Sequence, residues 1–325
     1  MRTGGPEGGP TGSAVRSRAV GAMGRRPLLL VGLGVLLFST GPVMVAGSDT
    51  SGPVLSFWRL WLGAVLMGAL TIGKIRSSGR RPDRIGWAWA ARCGLAFGIH
   101  QLFFMIAIKA TSVVDVTLMQ VLQPIFVGVL AIALFGERPG AGFRLWSLVA
   151  IAGAAVVVLA GASGPEGDPV GVVLAILNVA FFAVYFVWSK QARSHIDTVP
   201  FLFGVVVAAG VVVSGFVLVA GEPVGSISGG DLLIAAYIAS IPGALGHFVT
   251  TWPLQRVPAN VPPVMQLAMP FLAGGLAWLL LDQRISWLHV VGGTLTIAGV
   301  IGSLTSSAGR RLLAPGVDRS VVPGD

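Results

Sequence analysis

Met119-Gln120-Val121-Leu122-Gln123-Pro124, followed by an apolar run and then Gly136-Glu137-Arg138, occurs a second time in this chain. The second copy reads Met265-Gln266-Leu267-Ala268-Met269-Pro270, an apolar run and Asp282-Gln283-Arg284. The offset is 146 residues, placing Met119 on Met265, Gln120 on Gln266, Pro124 on Pro270, Arg138 on Arg284 and Gly153 on Gly299. A chain of 325 residues that repeats at nearly half its length is a duplicated bundle. In a membrane such a duplication points toward a transporter.

Composition places it in a membrane. Hydrophobic residues make up 54% of the chain, charged residues 11%, and the mean hydropathy is +0.84; in soluble domains roughly a quarter of residues are charged. Unpaired backbone amides in hydrocarbon cost several kcal/mol each, so spans are helices or a closed barrel. Continuous apolar runs of about 20 residues without strand alternation select helices, and the fold class is all-α. The 46 glycines fit, because small residues let membrane helices approach closely, and Gly94 to Gly98 is a GxxxG.

The net charge of +9 is not a nucleic-acid footprint, since Lys and Arg lie mainly between apolar segments. Cys93 is the one cysteine, so no intramolecular disulfide forms, and its apolar neighbours make it a packed thiol rather than a nucleophile.

Residues 1–26 are rich in Gly, Pro, Ser and Arg and read as a disordered cytoplasmic tail. A cleaved signal peptide is the competing reading, but the run after Arg26 is longer than a usual h-region, and its removal would leave the first copy one helix short. Ten spans then follow: 27–46, 53–73, 86–108, 113–135, 144–161, 170–190, 199–220, 231–253, 259–281 and 287–305. The first repeat covers 27–161, an external linker 162–169, the second repeat 170–305, and a cytoplasmic tail 306–325. With the amino terminus inside, 18 of the 22 Lys and Arg fall on the inner side, while Asp49, Glu166, Asp168, Glu222 and Asp231 lie in outer loops. Both termini are therefore expected in the cytoplasm. Five spans is an odd number, so the second repeat must be inverted relative to the first, and inverted repeats enclose a solute path near the midplane.

With these features the chain resembles the EamA group of the drug/metabolite transporter superfamily over residues 27–305. The resemblance rests on the ten-helix plan in two five-helix copies, on Pro124, Gly136 and Glu137 followed by a span around Gly153, and on Ser56-Phe57-Trp58-Arg59 in the second span. The second copy departs from it, with Asp282-Gln283 where the family commonly has Gly-Glu. The resemblance implies a carrier of the bacterial cytoplasmic membrane with a cavity between its halves, moving small metabolites or drugs, often outward. Amino-acid-like solutes fall within that range.

Polar groups inside spans tend to face the bundle interior and mark pathways. Arg59 lies six residues past Pro53, about 9 Å along the helix, where it either snorkels to the outer interface or meets an anionic group. His100 is deeper, about 22 Å past Ile85, next to Gln101; with His247 it is a candidate proton relay or a hydrogen-bonded packing group. Arg92 reads as a snorkelling anchor. Thr117, Gln120 and Gln123 share one face, and Gln266 is the repeat partner of Gln120. Asn178, Tyr185 and Ser189 form another stripe, with Trp188 nearby. Substrate-binding candidates are thus Arg59, His100, Gln101, Gln120, Gln123, Asn178, Tyr185, Trp188, His247 and Gln266. Pro124, Pro242 and Pro270 free backbone carbonyls within spans and are candidate hinges. Asp115, near a span end, reads as solvated, and Glu137 with Arg138 as a cap and anchor of the inner end.

Walker loops, HExxH, metal-ligand clusters and nucleophile elbows are missing from the sequence, so no metal, cofactor or ATP-driven step is expected. The expected partners are a small-molecule solute, protons as a coupling ion, and the lipid bilayer, with the protein a monomer or homodimer. The rival class is a membrane enzyme acting on a lipid or isoprenoid. It would want close carboxylates at one membrane surface, whereas the acidic residues here are scattered through loops.

Overall fold

The computed structural model describes residues 25–135, 141–162, 168–252 and 266–306. Most of the two terminal tails, the linker residue Glu166, the inner-end pair Glu137 and Arg138, and the first part of the ninth expected span lie outside them. The described chain is helical throughout: α1 Arg25–Ala46, α2 Gly52–Ser78, α3 Arg84–Ala110, α4 Val113–Gln120, α5 Gln123–Phe135 and α6 Ala141–Ala162. Then come α7 Pro169–Ala192, α8 Thr198–Ala220, α9 Gly229–Ile238, a π-helical segment Ala239–Gly246, α10 His247–Thr251, α11 Met269–Leu281 and α12 Trp287–Thr305.

The boundaries follow from capping chemistry. The side chains of Asp83, Ser112, Asp168 and Ser228 accept backbone N–H groups at the starts of α3, α4, α7 and α9, over 2.7 to 3.1 Å. Pro53 and Pro169 occupy first turns, where a missing N–H costs nothing. α2 and α8 stop at Gly79 and Gly221, whose φ of 65° and 67° suit glycine.

Seven stretches among the described residues are long and apolar enough to cross a membrane: 29–46, 52–78, 84–110, 113–130, 169–192, 198–220 and 229–251. Three shorter apolar helices join them, Ala141–Val157, Gln266–Leu281 and Trp287–Ser303. Leu29, Val65, Leu145, Val219 and Trp278 point outward and exposed, as lipid-facing side chains do. This is a polytopic membrane protein.

The expected span 113–135 is not one helix. It breaks at Val121 and Leu122 between α4 and α5, because Pro124 has no N–H to offer the carbonyl four residues earlier, that of Gln120. The matching described stretch of the second copy also opens outside regular α-helix. A 3-10 turn, Gln266–Ala268, precedes α11, and Pro270 lies four residues beyond Gln266. Pro242 sits inside the π-helical segment. All three candidate hinge prolines thus stand at departures from regular α-helix.

Helix contacts run through small residues. A Cβ on Gly94 would come 2.6 Å from the Val205 carbonyl and one on Gly98 3.0 Å from Ala209 Cα, so the GxxxG face of α3 lies directly on α8. α6 and α12 lie against each other with Gly142 beside Ser306, Trp146 beside Gly302, Ala150 beside Gly299, and Gly153 beside Thr296 and Gly292. Residue numbers rise along one helix as they fall along the other, so the two run antiparallel. α2 and α8 are antiparallel as well, with Trp61 against Gly210 and Gly68 against Phe203.

Candidate functional site

A cavity of about 70 Å³ lies in the interior among α1, α2, α3, α7, the π-helical segment and the helix breaks. By volume it holds a few waters or one small group. Its polar lining consists of Arg59, His100, Gln101, Gln120, His247 and Gln266; Phe38, Phe104, Phe182, Ile238 and Met269 supply most of the rest.

Arg59 does not snorkel. It is 8% exposed and turns inward, its Nη1 donating to Gln101 Oε1 over 2.8 Å. Two features place it. Gln101 reaches it from α3, and the π-helical segment passes beside the guanidinium at Gly243, where a Cβ would make ordinary contact with Nη2 at 3.6 Å. No carboxylate among the described residues pairs with Arg59. The Gln101 amide nitrogen, also buried, has no protein partner.

His100 Nδ1 lies 3.2 Å from the Asn178 backbone carbonyl, which can only accept; Nδ1 therefore carries a proton, and neutral His100 presents Nε2 as an acceptor. Its ring stacks on Phe182 with centroids 4.5 Å apart. His247 meets Phe38 at 4.9 Å and Phe97 at 5.2 Å, both edge-on. Phe97 also touches His100, so one aromatic side chain separates the two imidazoles. Arg59, Tyr185 and His247 additionally line a second, smaller space of about 20 Å³.

Gln120 and Gln266 line the same cavity from matching positions of the two copies. Gln120 is the last residue of α4, and Gln266 is the first residue of the 3-10 turn before α11. The remaining polar candidates sit elsewhere. Gln123 and Asn178 are buried away from the cavity, with both amide heavy atoms of each lacking a protein partner. Tyr185 faces the smaller space, and Trp188 packs in the apolar cluster built on α2, α3 and α8. Thr117 is satisfied by its own helix, donating to the Val113 carbonyl over 2.8 Å. Arg92 is exposed, its guanidinium 5.4 Å from the Trp89 ring centroid, as an anchor would be.

Asp115 contradicts the solvated reading. It is 1% exposed, and its Oδ1 lies 3.0 Å from His289 Nε2, while Oδ2 accepts from Thr111 and Ser112 over 2.9 and 2.6 Å. His289 Nδ1 accepts the Ser286 backbone N–H over 3.1 Å, which fixes Nε2 as the donor to the carboxylate. Ser112 and Ser286 each stand three residues before the group they hold, a capping spacing visible in the sequence. The pairing across 174 residues is not. The departure Asp282-Gln283 has a local reason: Asp282 adopts φ 54° at the end of α11, and Gln283 Oε1 accepts the Val113 N–H at the start of α4 over 3.1 Å.

Long lipid-facing helices around a small polar interior define a multi-pass membrane transporter. The family model "EamA-like transporter family" matches residues 25–159 and again 169–305, and the chain belongs to that family. The chain is 24% identical over 275 residues to "Uncharacterized transporter YdfC" of Bacillus subtilis (strain 168), covering 84% of this chain and 87% of that protein. A solved structure described as "Crystal structure of protein" shares 20% identity and a TM-score of 0.59, over 89% of this chain and 99% of that one. This last likeness concerns the fold alone.

Proposed function

We propose that the protein is a secondary carrier that moves a small organic solute across the bacterial cytoplasmic membrane by alternating access, with export favoured and amino-acid-like solutes within range. Ten spans form two inverted five-helix repeats, 27–161 and 170–305, joined by an external linker, and both termini are cytoplasmic.

The observation that carries this reading is the convergence of Gln120 and Gln266 on one interior cavity. Equivalent residues of two copies reach a common space only when the copies face each other across it. The antiparallel course of α2 with α8 and of α6 with α12 supports the inversion, because these are matched helices at the 146-residue offset. Solute contacts with Arg59, His100, Gln101 and His247 differ between outward and inward states, and that difference shifts the equilibrium between them. Pro124, Pro242 and Pro270 are the places where the helices bend. Protons are the proposed coupling ion, with His100 and His247 as carriers.

Uptake and counterflow of a broad metabolite panel in proteoliposomes test the reading. Saturable transport of at least one solute, lost in Arg59→Gln, is expected; no transport of any solute in either direction contradicts it.

A further inference from the structure

We infer that the cavity is built for a small organic carboxylate with a short apolar body, whose carboxylate is received by Arg59 and the amide nitrogen of Gln101. This rests on the carrier reading for its role, though binding itself does not.

Arg59 brings a full positive charge into the interior. An unpaired charge there is expensive, and proteins offset it with a counter-charge and a full set of hydrogen bonds. Here the guanidinium has only an amide oxygen, at 2.8 Å, and no carboxylate among the described residues. The guanidinium fork fits a carboxylate in two parallel hydrogen bonds, a geometry that an amide or an ammonium partner does not offer. The Gln101 amide has its oxygen committed to Arg59, and its nitrogen, an obligate donor, is buried with no protein partner. Two donor groups from two helices thus stand together, unopposed by acidic groups.

The other titratable groups at the site add no negative charge. His100 and His247 are neutral or cationic, so a cationic solute meets only repulsion or indifference. Neutral His100 offers Nε2 as an acceptor, which suits a hydroxyl or amino hydrogen next to the carboxylate. Elsewhere the walls are Phe38, Phe104, Phe182 and Met269, which leave the body of the solute in apolar contact. Inorganic anions would satisfy the guanidinium but gain nothing from these walls.

The test uses the full-length protein in lipid nanodiscs and three probes of similar size: propanoate, its uncharged amide, and propylamine, with chloride and inorganic phosphate as further arms. Ligand-induced thermal stabilisation and equilibrium dialysis read binding without requiring transport. The carboxylate is expected to bind, with the amide and the amine weaker by about tenfold or more, and the inorganic anions weaker still. Arg59→Gln should lose that preference, and Arg59→Lys should keep charge selectivity at reduced affinity. Comparable binding of the amide or amine, no binding of the carboxylate, or inorganic anions binding equally well overturns the inference. Because the wild-type protein alone supplies these comparisons, misfolding of a variant does not rescue it. Carboxylate binding with no transport would sink the carrier reading and leave the site; transport of a neutral or cationic solute with no carboxylate binding would do the reverse.

Discussion

His289 Nε2 stands 3.0 Å from Asp115 Oδ1, joining the first turn of α12 to the first turn of α4 in a buried pair. The carboxylate is held by two further hydroxyls, and the imidazole by a backbone N–H, so each partner is oriented before they meet. Hydrogen bonds to charged groups contribute about 1.5–3 kcal/mol. His289→Ala and Asp115→Ala should each lower stability by about that amount, and the double variant should cost less than the two combined, since both remove one contact. Thermal unfolding in detergent checks this. Additive losses would show that the pair is not energetically coupled.

The glycines separate into those that let helices touch and those that do not. A Cβ at Gly299 would fall 2.7 Å from Ala150 Cα, backbone that cannot yield, and Gly299→Ala should cost about 1–3 kcal/mol or prevent folding. Gly73 and Gly215 have nothing within 4 Å of a Cβ. Alanine at either should be neutral or stabilising by up to about 1 kcal/mol, because glycine inside a helix carries an entropic cost. The same unfolding measurement decides both signs.

Gly243 lies beside Arg59, and a Cβ there would press on the Ile238 carbonyl at 2.6 Å. Gly243→Ala should displace the π-helical segment against the guanidinium and weaken solute binding by several-fold while the protein still folds. Binding affinity in nanodiscs, measured beside the elution profile of the purified variant, reports on this. Unchanged affinity in a folded variant would detach Gly243 from the site.

The charge bias predicts an orientation with both termini in the cytoplasm. Cysteines placed at Ser78 and Ser194, in a Cys93→Ala background, should react with an impermeant thiol reagent from the cytoplasmic side, and one at Ser226 from the external side. The opposite pattern would invert the topology.

Much of this was legible before the fold. Gln120 and Gln266 could be paired because a repeat at a fixed offset reports equivalence, and equivalence across a seam reports facing. Arg59 was legible as costly, though not as inward-turned, because the length of an arginine side chain allows either interface or interior. Gln123 and Asn178 do not line the cavity, because helical periodicity tells which residues share a face, and not what that face meets. The Asp115–His289 pair was invisible, since 174 residues separate its halves and each alone reads as an ordinary helix start. Likewise, the single expected span 113–135 gave no sign of how sharply Pro124 would divide it.

On the proposed mechanism, the space between the two copies opens alternately to the two sides. Gln266→Cys in the Cys93→Ala background, in sealed vesicles of known orientation, tests it most directly. Labelling by an impermeant thiol reagent is expected from either face, with a transported solute speeding one rate and slowing the other. Labelling from one face alone, whatever solute is present, would contradict it.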